Sequence, residues 1–169
     1  APRGQRRIAG RHPARDVLVG FDRQVRLQLT GALLATSAVA NGLFTGDPYD
    51  LGIAGGFASP TASRLLRDAD VVLAVGTSLG GMVTDSYRLV TPGTRIIHSS
   101  IDPDVIGMNF PTEIGLVADA RAFLDAVLDA SERLEALPSA AAVEHVAKLA
   151  DERASWYERR AGLASENGL

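Results

Sequence analysis

The chain has no cysteine. Disulfides, thiolate metal sites and cysteine nucleophiles are therefore excluded. Aromatic residues are sparse at 5%. Neither sign of charge predominates. The formal net charge of −3 argues against a nucleic-acid surface, which normally carries a basic excess. No apolar run approaches the ~18 residues that a membrane-spanning helix needs. The opening residues lack the apolar stretch of a signal peptide, so a cytoplasmic location is expected. An initiating methionine is missing too, and the abrupt Ala1-Pro2-Arg3-Gly4 start reads as a fragment or a processed chain. Three histidines lie far apart, at His12, His98 and His145. With no Ser-His-Asp set, H-E-x-x-H or paired carboxylates beside them, no catalytic residue and no metal ligand can be named.

What is present is ordinary globular composition: 46% hydrophobic and 22% charged residues in a chain of 169. That is the size of one domain. The arginine cluster Arg3, Arg6, Arg7, Arg11 and Arg15 reads as a solvated terminus.

Strands and helices alternate in the middle. Val71-Val72-Leu73-Ala74-Val75, closed by Gly76, reads as a strand buried on both faces. Ser59-Pro60 reads as an N-cap with proline at the first helical position, opening a helix through Leu65 and Leu66. Thr94–His98 is a second buried strand. Asp102-Pro103 opens a short turn ending near Gly107, and Ile114–Val117 is a further strand. Asp119 caps a helix whose apolar face is Phe123, Leu124, Val127 and Leu128. Such alternation predicts an α/β fold, a doubly wound parallel sheet with helices on both faces. At the start, Arg7–Gly10 is a candidate first strand, Asp16 to Leu29 has mixed helical character, and Leu33–Thr36 is another strand candidate. Gly42, Gly46, Pro48 and Gly52 mark an irregular stretch. At the end, a linker around Pro138 precedes an amphipathic helix, Ala141 to Arg160, with Val143, Val146, Leu149 and Trp156 on one face. It either packs on the core or connects to a further domain, and the connector reading is preferred.

Ligands of doubly wound sheets bind beyond the carboxyl ends of the strands. Four loops qualify. In the first, Gly55-Gly56-Phe57-Ala58-Ser59, glycines and a helix start suit an anion, but a bare tight turn with no ligand is the preferred reading. The second, Gly76-Thr77-Ser78, is a diphosphate cradle or a plain strand exit, and it has neither a P-loop lysine nor a full G-x-G-x-x-G. In the third, Asp102 is a ribose acceptor or a simple helix cap, with Ser100 beside it. In the fourth, Asp119 is a cap. His98 reads as a packed or hydrogen-bonded core histidine. Tyr49-Asp50 and Asp85-Ser86-Tyr87 are polar loop residues without a catalytic partner.

Several blocks in order carry a resemblance. They are Gly31–Ser37 with Asn41–Phe44, Leu51–Gly56, Ala69–Thr77, Pro92–His98 with Ile101–Asn109, and Ala118–Ala120. Together they resemble the central domain of thiamine-diphosphate-dependent enzymes of the acetolactate synthase and glyoxylate carboligase type, over roughly residues 6 to 130. The resemblance implies a Rossmann-like sheet of about six strands, a DHS-like NAD/FAD-binding fold. Residues 1–135 would form the domain, and 136–169 would form a linker and helix toward a C-terminal coenzyme-binding domain. It also implies a parent lyase or transferase that uses thiamine diphosphate and Mg²⁺ on 2-oxo acids. That parent would be a homodimer or tetramer, with flanking domains binding the pyrimidine and diphosphate of the coenzyme. The G-D-G motif of the diphosphate-binding domain is absent here, since Gly46-Asp47 is followed by Pro48. The chain alone is therefore expected to be inactive.

In acetolactate synthases the central domain holds FAD, in some relatives ADP, and elsewhere nothing. The flavin loops map onto Ala54–Ser59, Gly76–Leu79, Ser100–Asp102 and Ala118–Asp119. Phe57 stands where a histidine is usual, Ser78 where an arginine is usual, and Ser100 where an acid is usual. Gly10 alone remains of a glycine pair. A planar cation is hard to replace at a phosphate, so flavin binding is expected to be weak or absent. The alternative function is a stand-alone nucleotide-binding or interaction domain with no enzymatic role.

Overall fold

In the computed structural model, residues 16–20, 31–133 and 140–166 are described. Six strands form one sheet: β1 (Asp16–Gly20), β2 (Leu33–Thr36), β3 (Asp50–Ile53), β4 (Val71–Val75), β5 (Arg95–Ser100) and β6 (Ile114–Val117). Every pairing is parallel, in the order β3-β2-β1-β4-β5-β6. The order reverses between β1 and β4, which is the topological switch point of a doubly wound sheet.

Burial follows position in the sheet. Central residues Leu33, Leu34, Ala35, Val72, Ala74, Val75 and Ile96 are buried, as expected of strands covered on both faces. All four residues of β6, at the sheet edge, are exposed.

Among the described residues three α-helices accompany the sheet: α1 (Pro60–Arg67), α2 (Ala120–Arg133) and α3 (Ala140–Glu166). The serine cap is real, because Ser59 Oγ accepts the Ala62 N–H at 3.1 Å. Ala62, Leu65 and Leu66 are the buried residues of α1, the i, i+3, i+4 stripe of an amphipathic helix. Asp119 Oδ1 accepts from the Arg121 and Ala122 N–H groups and so starts α2. Leu124 is the buried anchor of α2, with Phe123, Val127 and Leu128 partly buried beside it.

Three expectations need correction. Asp16–Gly20 is strand, not helix. Val17, Leu18 and Val19 pair with both β2 and β4, so the tertiary ladder overrides a mixed local pattern. The rest of the stretch to Leu29 lies outside the described residues, as does the Arg7–Gly10 candidate. The irregular stretch ends in a strand, because Asp50–Ile53 forms β3. Gly52 there has φ +79, and a Cβ on it would lie 3.0 Å from the Tyr157 hydroxyl. The glycine thus admits α3 rather than breaking the strand. Finally, Val143 is exposed on α3, whereas Val146 and Leu149 are buried in the core. α3 packs on α1 and β3. Ion pairs Arg64–Glu152 at 3.2 Å and Arg153–Asp50 at 3.6 Å line that contact.

Candidate nucleotide-type site at the carboxyl edge

The loop after β3 owes its glycines to a crossing of two backbones. Gly55 has φ +89, and a Cβ there would sit 1.8 Å from the Met82 carbonyl oxygen. The Gly56 N–H donates to that same oxygen at 3.1 Å. β3 and β4 are separated by β2 and β1. The segment leaving β4 therefore meets the exit of a strand three places away in the sheet. Phe57 is exposed, Ala58 is half-buried, and Ser59 is buried in its capping role.

At the β4 exit, the Gly76 N–H donates to Ser99 O at 2.8 Å. Thr77 is buried, and its Oγ1 accepts the Leu79 N–H at 3.3 Å. Ser78 is exposed, and its carbonyl accepts from Asn109 Nδ2 at 2.8 Å. His98 joins the same place from β5. It is 2% exposed, with Nε2 2.7 Å from Thr77 O and Nδ1 receiving the Gly107 N–H at 3.4 Å. A carbonyl only accepts and an N–H only donates, so this geometry assigns the Nε2–H tautomer. His98 is thus a core histidine that holds the β4 exit to the β5–β6 connection.

The β4–β5 connection then takes an unusual path. Leu79, Asp85, Ser86 and Tyr87 all have positive φ, between 50° and 67°. Left-handed backbone costs about 1–2 kcal/mol per non-glycine residue. Thr84 repays part of that cost: its Oγ1 donates to Gly80 O at 2.9 Å and accepts the Tyr87 N–H at 3.2 Å. Arg88 adds an ion pair to Asp85 at 2.9 Å. Asp85-Ser86-Tyr87 is therefore a left-handed turn, a role no sequence signal marked.

Beyond β5, the buried Ser100 receives the Asp102 N–H on its hydroxyl at 3.1 Å. Asp102 Oδ1 accepts the Asp104 N–H at 3.0 Å, capping a single 3₁₀ turn, Pro103–Val105.

Register sets Val75 beside Ser99, and Ser100 beside Val117. Gly76, Thr77, Ser78, Ser100 and Asp102 thus gather along neighbouring strand ends, and the backbone crossing ties Gly55 and Gly56 to the same rim. Asp119 follows β6 at the far edge, five strand steps from β3, or about 24 Å at the usual inter-strand spacing. It does not join the Gly55 loop.

Electrostatically the rim offers an anion little. None of the eleven residues expected at the site is a cation, and Asp102 and Asp119 are acids. Ser59, Thr77, Ser100, Asp102 and Asp119 spend side-chain oxygens on local backbone N–H groups. Among the described residues, Ser37 Oγ and Ser99 Oγ are buried with no hydrogen-bond partner. At the opposite, amino edge of the sheet, Arg95 makes a bidentate pair with Glu113, with both distances 2.6 Å. That hydrogen bond, opposed by partial desolvation and aided by the arginine charge, holds the Glu113 carboxyl below its ordinary range. Among the described residues no group of three or more His, Asp or Glu is placed to hold a metal ion, and no helix is long and apolar enough to cross a membrane.

A parallel sheet of order 3-2-1-4-5-6, with its candidate loops at the carboxyl edge, defines a doubly wound, Rossmann-like α/β domain. Comparison with known proteins narrows the class. Residues 26–127 match the model of the thiamine pyrophosphate enzyme central domain, and the chain belongs to that family. It is 34% identical over 103 residues to a probable acetolactate synthase large subunit of Methanocaldococcus jannaschii, covering 60% of this chain and 17% of that protein. It is 31% identical over 98 residues to an acetolactate synthase of Mycobacterium bovis, covering 57% of this chain and 16% of that protein. It is 26% identical over 111 residues to an acetolactate synthase large subunit of Haemophilus influenzae, covering 66% and 19%. The matched part is thus under a fifth of the length of these relatives.

Proposed function

We propose that the chain is the structural centre of a longer thiamine-diphosphate- and Mg²⁺-dependent enzyme acting on 2-oxo acids, an acetolactate synthase-like lyase or transferase of the cytoplasm. In this reading its partners are flanking domains that bind the pyrimidine and diphosphate of the coenzyme, in a parent that is a homodimer or tetramer. Residues 1–135 form the central domain, and 136–169 lead toward the next one. Thiamine diphosphate and Mg²⁺ do not fit the described residues, which offer neither a metal-ligating cluster nor a G-D-G motif. No chemical step is assigned to this chain.

A dinucleotide also fits poorly. The carrying observation is the crossing at Met82: the β4–β5 connection is held against the β3 exit, so that Gly55 abuts backbone and the Gly56 N–H is already bonded to Met82 O rather than free for a phosphate. The absence of any cation among the candidate residues supports the same reading, because a diphosphate needs charge or several free N–H groups. The domain then serves as a spacer that holds no flavin.

Calorimetric titration of the chain with FAD and with ADP, beside a thermal-shift scan, tests this. No heat of binding and an unchanged melting temperature are expected. Micromolar binding of FAD with a raised melting temperature would overturn the spacer reading, since a ligand bound to the native state stabilises it. Binding of ADP alone would favour a nucleotide-sensing domain instead.

A further inference from the structure

α3 changes the way it is held partway along its length. Of its described side chains, only Val146 and Leu149 are buried. The same face of the helix continues four and seven residues beyond Leu149. There it carries Arg153 and Trp156, both half-buried. The apolar stripe thus ends at Leu149, and charge takes over the contact. Glu152 Oε2 accepts from Thr61 Oγ1 and Arg64 Nη2 of α1, each at 3.2 Å. Arg153 faces Asp50 at the start of β3. From Glu158 to Leu163 every residue is exposed.

The ionic part is a weak fastening. Arg153 Nη1 stands 3.6 Å from Asp50 Oδ2 and is buried without a hydrogen-bond partner. Asp50 is divided, because its other oxygen accepts the Gly52 N–H at 2.7 Å. The two side chains are only 19% and 14% exposed. Charges withdrawn from water and incompletely hydrogen-bonded lose much of the attraction to desolvation. The Arg64–Glu152 pair is half exposed, where such pairs contribute little and are screened by salt. Packing is open as well. A groove of about 650 Å³ separates Pro60 and Thr61 of α1 from Ser155, Trp156 and Arg159 of α3, so side chains do not fill the contact beyond Leu149. Trp156 makes its aromatic contacts within α3. It lies edge-on to Tyr157, with centroids 4.9 Å apart, and Arg160 sits over its ring at 5.2 Å. Neither contact is lost if the helix moves as a unit.

We propose that the distal half of α3 is a releasable strap. The helix tilts about its Val146–Leu149 anchor, breaks the Asp50 and Arg64 pairs together and redocks, while the sheet stays folded. Release widens the groove and uncovers β3 at Gly52, over which the Tyr157 hydroxyl lies in the docked form. This rests on the contacts of α3 alone and is separate from ligand binding at the carboxyl rim.

With no cysteine in the chain, two spin labels can be placed without competition, at Arg67→Cys on α1 and Ala161→Cys on α3, both exposed positions. Pulsed dipolar spectroscopy of the labelled chain is expected to resolve two populations, a narrow docked distance and a broad released one. Asp50→Asn keeps an acceptor for the Gly52 N–H and removes the charge opposite Arg153. It is expected to shift the balance about tenfold toward release. Raising salt to about 1 M without that substitution shortens the screening length to about 3 Å and is expected to move the balance the same way. Circular dichroism of the same samples is expected to report a folded body throughout. A distance distribution left unmoved by the substitution or by the salt overturns the proposal. So does a released population that grows only as the dichroism is lost, because α3 would then leave only when the whole domain unfolds.

Discussion

Replacing Gly55 by alanine separates a glycine needed for a crossing from one that is merely convenient. At Gly55 the new Cβ would meet the Met82 carbonyl oxygen at 1.8 Å and the Met82 and Val83 carbonyl carbons at 2.8 and 2.9 Å. These are backbone atoms, so a rotamer change cannot relieve the clash. The residue also has φ +89, and left-handed backbone costs an alanine about 1–2 kcal/mol. If the two segments part, the Gly56 N–H to Met82 O bond is lost, for about 1 kcal/mol more. The sum is roughly 2–3 kcal/mol, or about 4–12 °C in melting temperature for a chain of this size. Gly56 is the control. A Cβ there meets nothing within 4 Å and its φ is not positive, so Gly56→Ala is expected to cost under about 0.5 kcal/mol. Urea unfolding followed by circular dichroism reads both variants. A neutral Gly55→Ala, or equal losses at the two positions, would refute the assignment of the crossing.

Leu34→Ala, at a side chain with no exposure, is expected to cost about 2–5 kcal/mol in urea unfolding, as core truncations do. His98→Phe keeps an aromatic ring but leaves Thr77 O and the Gly107 N–H without their partner, and a loss of about 1–3 kcal/mol is expected in the same assay. Ser59→Ala removes the α1 cap and is expected to lower stability by about 1 kcal/mol, read as a fall in the urea midpoint. Glu113 should titrate below the ordinary carboxylate range because of Arg95. Its folded value is the depressed one, so the pair's contribution is full above the ordinary carboxylate value and is lost as pH falls through the depressed value. Carboxyl chemical shifts in the Arg95→Gln variant should show the titration moving back up.

The sequence was most readable where one signal acted alone. β4 is a pure apolar run ended by Gly76, and α1 and α2 begin at side chains that do cap them. β1 and β3 were hidden because neighbours define them. β1 gains its identity from ladders on both sides, and Gly52 in β3 reads as a break until Tyr157 is seen packed over it. The carboxyl-rim residues could be located, since strand ends can be counted, yet their employment could not. Gly55 suited a phosphate loop or, preferably, a bare tight turn, and neither reading named its actual neighbour, a carbonyl from a segment distant in sequence. The left-handed turn at Asp85-Ser86-Tyr87 contains no glycine and so gave no warning. α3 showed its periodicity, but the buried contacts of Val146 and Leu149 with the body depend on three-dimensional placement.

The Met82 crossing also bears on how the domain comes apart. It links the two halves of the sheet on either side of the strand-order reversal, and neither half supplies both partners. Such a link closes only after β3 and β4 have each taken their places, and we propose that it forms after the rate-limiting step of folding. Interactions formed that late act as a brake on unfolding. The Gly55 crossing should therefore lengthen the lifetime of the folded chain while leaving its rate of formation almost unchanged.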